Sequence, residues 1–255
     1  MSKFFTPKLI LILSLLSIIV VPQISQADES AKRKPGSNYE DYIKKNKTLS
    51  LFDQTPDSKT VQESRTKLDG LDLSTVPEVS PEILKVEFAR VRDALMLQDS
   101  LLRARRPTWF YPDDGCYARA ELMIEAFNAT KPAKIFAFGN LEVQTSHHPS
   151  GYVSWWYHVA PIVKSGEHYY VLDPALDPLE PQELKAWLEK ISLKDGEVVI
   201  CSSHAYKPSS HCNESASQLG KAVEDEAEYL ELEWDRVVEL GLDPELTLGK
   251  SPPWP

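Results

Sequence analysis

The chain has 255 residues, of which 28 are basic and 38 acidic, for a net charge of −10. A balance this acidic argues against nucleic acid and anionic membrane surfaces as main partners. The length exceeds a typical domain of about 150 residues, so one domain plus a sizeable appendage is expected.

The first element is an address. Lys3 and Lys8 precede an apolar run from Leu9 to Val21, which is broken only by Ser14 and Ser17 and stopped by Pro22. Ser25-Gln26-Ala27 places small residues where a signal peptidase reads, so residues 1–27 read as a signal peptide cleaved after Ala27. An uncleaved anchor is the alternative, but the run is shorter than the roughly 20 residues that span a bilayer. Cleavage removes two lysines and no acid, leaving 26 basic against 38 acidic residues, a net charge of −12. The mature chain is expected to be secreted or periplasmic, with no stable membrane association.

Residues 28–80 are rich in Lys, Asp, Ser and Thr and are punctuated by Pro56 and Pro77. They read either as a pro-region or linker, or as a segment that wraps the domain. From 81 to 255 the pattern is that of a folded domain. Ile83, Leu84, Phe88, Val91, Leu95 and Leu102 recur at helical spacing, so a helix is expected over 81–103, with Ser80 as cap and Pro81 in the first turn. Arg103-Ala104-Arg105-Arg106 then reads as the solvated end of that helix or as a protease-sensitive site.

Pro112-Asp113-Asp114-Gly115 is a turn signal leading into a helix from Cys116 to Phe127. A strand over 134–138, a loop over 139–150, and a hairpin of strands 152–163 and 168–172 follow, the hairpin turning at Ser165-Gly166. A helix over 181–191, a strand over 197–201 and an acidic helix over 217–241 complete the pattern. The order is that of an α+β fold.

Three cysteines are present, at 116, 201 and 212. Cys201 and Cys212 lie close together, and a disulfide there would contribute about 2–3 kcal/mol by restricting the unfolded chain. Cys116 is then the spare thiol, either inert and buried or in use. Its place after a turn glycine, at a helix start, suits a nucleophile. The helix dipole favours an anion there, and the unpaired N–H groups of the first turn can face a developing oxyanion.

His158 lies inside the apolar strand Trp155-Trp156-Tyr157-His158-Val159-Ala160-Pro161, where strand alternation puts it on a face with Trp156 and Ala160. A buried histidine needs partners, whether as a satisfied core residue or as a general base. With the hairpin turning between residues 165 and 166, Asp173 falls directly opposite His158 and can orient it. Thiol, imidazole and carboxylate thus occur in an order that triad chemistry can use. Trp155, Trp156 and Tyr157 are candidates to line a substrate channel, although aromatic residues on strands more often form core.

Asp114-Gly115-Cys116-Tyr117-Ala118-Arg119-Ala120, Trp156-Tyr157-His158-Val159-Ala160 and Leu172-Asp173-Pro174-Ala175-Leu176 together resemble the three catalytic blocks of bacterial protein-glutaminases. The resemblance spans roughly Tyr111 to Ile191. It implies a papain/transglutaminase-like core in which a nucleophile-bearing helix packs on an antiparallel sheet. It further implies that Cys116 is nucleophile, His158 base and Asp173 its orienter, and that residues 28–80 correspond to a pro-segment. The reaction implied is hydrolysis of glutamine side-chain amides in proteins or peptides to glutamate through a thioester, with release of ammonia.

Transglutaminase-type acyl transfer and peptide hydrolysis are the rival chemistries. A non-enzyme alternative is an interaction or inhibitor-like protein with an inactive triad, binding through Trp234 and Trp254. No cofactor is expected, and no metal, because His147, His148, His158 and Cys116 match no common zinc spacing.

Overall fold

The computed structural model describes residues 59–250 and 253–254. The signal-peptide reading and the first part of the 28–80 region lie outside the described residues. Among those described, no helix is long and apolar enough to cross a membrane.

A five-stranded antiparallel sheet is the frame. Its strands are β3 (Ala133–Gln144), β4 (Tyr152–Ser165), β5 (His168–Val171), β6 (Gln182–Glu183) and β7 (Glu197–Cys201), in the order β6-β5-β4-β3-β7. The two-residue strands β1 (Leu97–Gln98) and β2 (Ala104–Arg105) form a separate hairpin. The helices are α1 (Pro81–Asp93), α2 (Cys116–Ala126), α3 (Leu184–Lys190), α4 (Leu219–Glu239) and α5 (Pro244–Thr247).

Alternation along β3 divides the core. Phe136 and Phe138 point into a layer with Tyr117 and Leu122 of α2 and Leu230 of α4, whereas Ile135 and Ala137 face Trp187 and Leu188 of α3. The resulting α+β layering, with the Cys116 helix against an antiparallel sheet, is the fold class expected from the sequence.

Residues 59–80 wrap the domain. Thr66 exchanges both backbone hydrogen bonds with Val198, covering the otherwise open edge of β7, and Val79 and Pro77 bond to Lys164. Val61 is completely buried against the α2 side of the sheet.

Several sequence expectations need correcting. Helix α1 stops at Asp93 rather than at 103, although Ser80 does cap it by accepting from the Ile83 N–H. The apolar spacing continues beyond Asp93, but Asp99 diverts the chain. Its carboxylate accepts from the backbone N–H groups of Leu101 and Arg103 and from the Arg103 side chain, closing the β1–β2 turn. Consequently Arg105 and Arg106 are buried rather than forming a solvated helix end, and Arg105 donates to Glu233 of α4 at 2.7 Å. The loop expected from 139 is strand as far as Gln144, interrupted by a register shift between Phe138 and Leu141.

Candidate active site

Cys116 is the first residue of α2. Gly115 caps the helix in the left-handed region, with φ of 82°. A β-carbon at residue 115 would lie 2.8 Å from Glu226 Oε1 and 3.0 Å from both Arg119 Nη1 and Tyr229 Cδ2, so glycine is required by space as well as by conformation. Cys201 and Cys212 form the expected disulfide, and Cys116 is the free, buried cysteine.

His158 Nε2 and Asp173 Oδ2 are 2.7 Å apart, and both residues are buried. The pairing forms by a different register from the one expected. Ser165 pairs with His168 and Ile162 with Val171, which would put residue 175 opposite His158. β5 ends at Val171, and the chain then bends so that the Asp173 side chain reaches back to the ring.

The aromatic residue beside the imidazole also differs from the one that strand alternation predicts. Trp155, not Trp156, stacks on it, with ring centroids 4.6 Å apart and planes at 13°. The bulge opposite this stretch of β4 interrupts alternation, so Trp156 and Tyr157 both fall in the layer with Phe138 while His158 keeps Ala160's side. The Trp155 indole N–H also donates to the Pro112 and Asp113 carbonyls, tying β4 to the turn before Cys116. Of the three proposed channel residues, Trp155 thus borders the imidazole, and Trp156 and Tyr157 pack in the core.

Trp187 was not singled out by sequence reasoning. Its indole N–H donates to Asp173 Oδ2 at 2.9 Å, and its ring lies 5.7 Å from the His158 ring. A tryptophan on a short amphipathic helix looks like core, and it is indeed fully buried, so sequence carries no signal for this contact.

The electrostatics follow from these contacts. Burial alone would push the His158 pKa down. The charge and hydrogen bond of Asp173, together with the neighbouring Cys116 sulfur, outweigh it and raise the value to about 9. Burial likewise acts to raise Asp173, but His158 and the Trp187 N–H hold it below the usual carboxylate range. With Nε2 committed to Asp173, His158 Nδ1 makes no aligned hydrogen bond and is the ring nitrogen left for the thiol.

Trp109, Arg119, Met123, Pro161 and Leu172 close around Cys116, His158 and Asp173. None of residues 59–80 borders this space. A larger cavity, of about 320 Å³, opens beside the turn that precedes Cys116, between Tyr111, Asp113 and Asp114 and the hairpin-tip residues His148, Ser150 and Tyr152.

Behind the turn that precedes Cys116 lies a second buried polar group. Glu226 and Glu233 of α4 are held by Thr108, by the Phe110 N–H and by Arg105. Burial pushes Glu226 up to about 7 and Glu233 up to about 6, against the opposing charges of Arg119 and Arg105 respectively.

The candidate metal set of His147, His148, His158 and Cys116 does not assemble: His148 is engaged with Asp113, His147 packs on Phe110, and His158 is committed to Asp173. Glu121, Glu125 and His204 do lie together, yet Glu121 is already ion-paired with Lys134 and bonded by the Gln218 N–H. Trp254, offered as part of a binding face, is instead buried, stacked on Phe110 and bonded to Asp93.

Fold and site together define an α+β protein that gathers a thiol, an imidazole and a carboxylate at one helix start. A family model described as glutaminase matches residues 84–191, which include Cys116, His158 and Asp173. The resemblance to protein-glutaminases is thereby borne out over those residues. The chain is also similar to a crystal structure of protein-glutaminase, at 24% identity over 71% of this chain and 95% of that one, with a TM-score of 0.44. An NMR structure of protein-glutaminase from Chryseobacterium proteolyticum gives 23% identity over 71% and 94%, TM-score 0.44, and a crystal structure of pro-protein-glutaminase 22% over 84% and 69%, TM-score 0.44. None of the curated proteins matches the chain.

Proposed function

We propose that this protein is an exported cysteine amidohydrolase that converts glutamine side chains in proteins or peptides to glutamate. The observation that carries the reading is the 2.7 Å pairing of His158 with Asp173, which leaves the second ring nitrogen for Cys116. Cys116 is the nucleophile, His158 the acid–base group, and Asp173 and Trp187 fix the ring's orientation.

The sulfur attacks the amide carbonyl carbon, and N–H groups at the start of α2 stabilise the oxyanion. The protonated imidazole delivers its proton to the amide nitrogen as the C–N bond breaks, so ammonia leaves and a thioester remains. His158 then takes a proton from water, which adds to the thioester and frees glutamate and the thiol. Asp173 stays ionised throughout, as its lowered pKa requires.

Incubating a glutamine-bearing protein with the purified enzyme tests this. The expected product gains about 1 Da per site with one ammonia released, the change set by water as acyl acceptor. Cross-linked product would indicate transglutaminase chemistry, and new termini a peptidase. An unchanged mass would reject the assignment.

A further inference from the structure

The segment from Thr108 to Gly115 delivers Cys116 to the start of α2, and much of what holds it comes from α4. Glu226 Oε2 accepts from the Thr108 N–H at 3.1 Å and from the Thr108 hydroxyl at 2.9 Å. Arg119, one turn into α2, grips the same segment through Nη1, which donates to the Thr108 hydroxyl at 3.2 Å and to the Tyr111 and Asp114 carbonyls at 3.1 and 2.6 Å.

The remaining oxygen, Glu226 Oε1, is buried without a hydrogen-bond partner and abuts the place a side chain on residue 115 would take. Leaving a buried carboxylate oxygen unpaired costs stability that a hydrophobic side chain would not. α4 nevertheless presents Glu226 here, on a face where it also buries Ala222, Leu230 and Val237. What the carboxylate does, and a leucine could not, is accept from Thr108 while meeting Gly115 from below.

We propose that Glu226 is a positioning residue for Cys116: bonded to Thr108 and packed against Gly115 and Arg119, it fixes the turn that sets the first N–H groups of α2 against the substrate's oxyanion. The proposal rests on Cys116 being the nucleophile. Glu226 does not touch substrate; it acts through Thr108 and Gly115.

The test measures kcat, KM and the number of iodoacetamide-reactive Cys116 thiols in the purified wild type and in Glu226→Gln, Glu226→Ala and Thr108→Val. Alkylation forms no oxyanion, so counting thiols separates loss of folded sites from loss of positioning. Glu226→Gln keeps an acceptor for Thr108 and should stay within about 3-fold of wild type in kcat per reactive thiol. Glu226→Ala should lower it about 10- to 100-fold, and Thr108→Val about 3- to 10-fold, with KM within about 2-fold, as expected when oxyanion donors are misplaced rather than binding lost.

A kcat per thiol unchanged in Glu226→Ala, with activity falling only as thiols are lost, overturns the proposal. Should that variant not fold, an unchanged kcat in Thr108→Val does so. Failure of the underlying reading looks different: the wild type itself releases no ammonia, and the positioning role falls with it.

Discussion

The His158–Asp173 pair and the Glu226–Glu233 group are both buried beside the elements that hold Cys116, yet their protons are held in opposite ways. In the first, imidazole and carboxylate face each other at 2.7 Å, and each stabilises the other's charge enough to overcome burial, raising His158 and lowering Asp173. In the second, burial is the largest influence on both carboxylates, and it exceeds the opposing charges of Arg119 beside Glu226 and of Arg105, 2.7 Å from Glu233. Burial therefore wins, and both carboxyl groups move toward their neutral forms. The carboxylate that faces the imidazole is held toward its charged form, whereas the two on α4 shift toward their neutral forms despite the guanidinium groups beside them.

Removing the anion of the His158–Asp173 pair should have the largest effect. Asp173→Ala should lower kcat about 10³-fold, because the imidazole loses both orientation and the charge that raises its pKa. Steady-state deamidation kinetics decide this, and a loss below 10-fold would show that the pair is not functional. Next in size is Gly115→Ala, which forces a β-carbon against Glu226 and Arg119 at a φ of 82°. It should cost about 2–5 kcal/mol of stability, the sum of left-handed strain and overpacking, readable in denaturant melts.

Trp187→Phe keeps an aromatic ring, though a smaller one, and deletes the 2.9 Å N–H···O bond to Asp173. The expected loss is about 10-fold in kcat, the equivalent of one hydrogen bond to a charged group. The smallest effect is the second group's pH dependence. Folded Glu226 and Glu233 hold protons that their unfolded counterparts, near 4.5, release, so stability falls as pH rises from 4.5 through about 6 and about 7. Arg119, Arg105, Thr108 and Tyr229 face these groups. Replacing both by Gln should flatten that decline in melting temperature between pH 5 and 7. His158 adds a decline of the same sign at higher pH: its pairing stabilises the fold fully below 6.5, and that contribution is lost as pH rises through about 9.

The same contrast explains what sequence could reveal. His158 and Asp173 were legible because a polar residue inside an apolar strand, and a carboxylate just past its hairpin partner, are local anomalies. The register was misplaced by two residues, since nothing local says where β5 ends, but a side chain spans that difference. The disulfide followed from an odd cysteine count and short separation. Glu226, Glu233 and Arg105 were illegible: charges on an acidic helix and in a basic run look solvated until tertiary contact puts them together. Trp187 and the Trp155 stack depend on a short helix and a bulge, neither of which has a periodic signature.

The Cys116 sulfur and the His158 imidazole are expected to act as one unit. The rate of Cys116 alkylation by iodoacetamide near neutral pH, compared between wild type and His158→Ala, tests it most directly. Rapid labelling that slows at least about 10-fold in the variant is the predicted result, because an adjacent imidazole activates a nucleophilic thiol. Equal rates in the two proteins would contradict it.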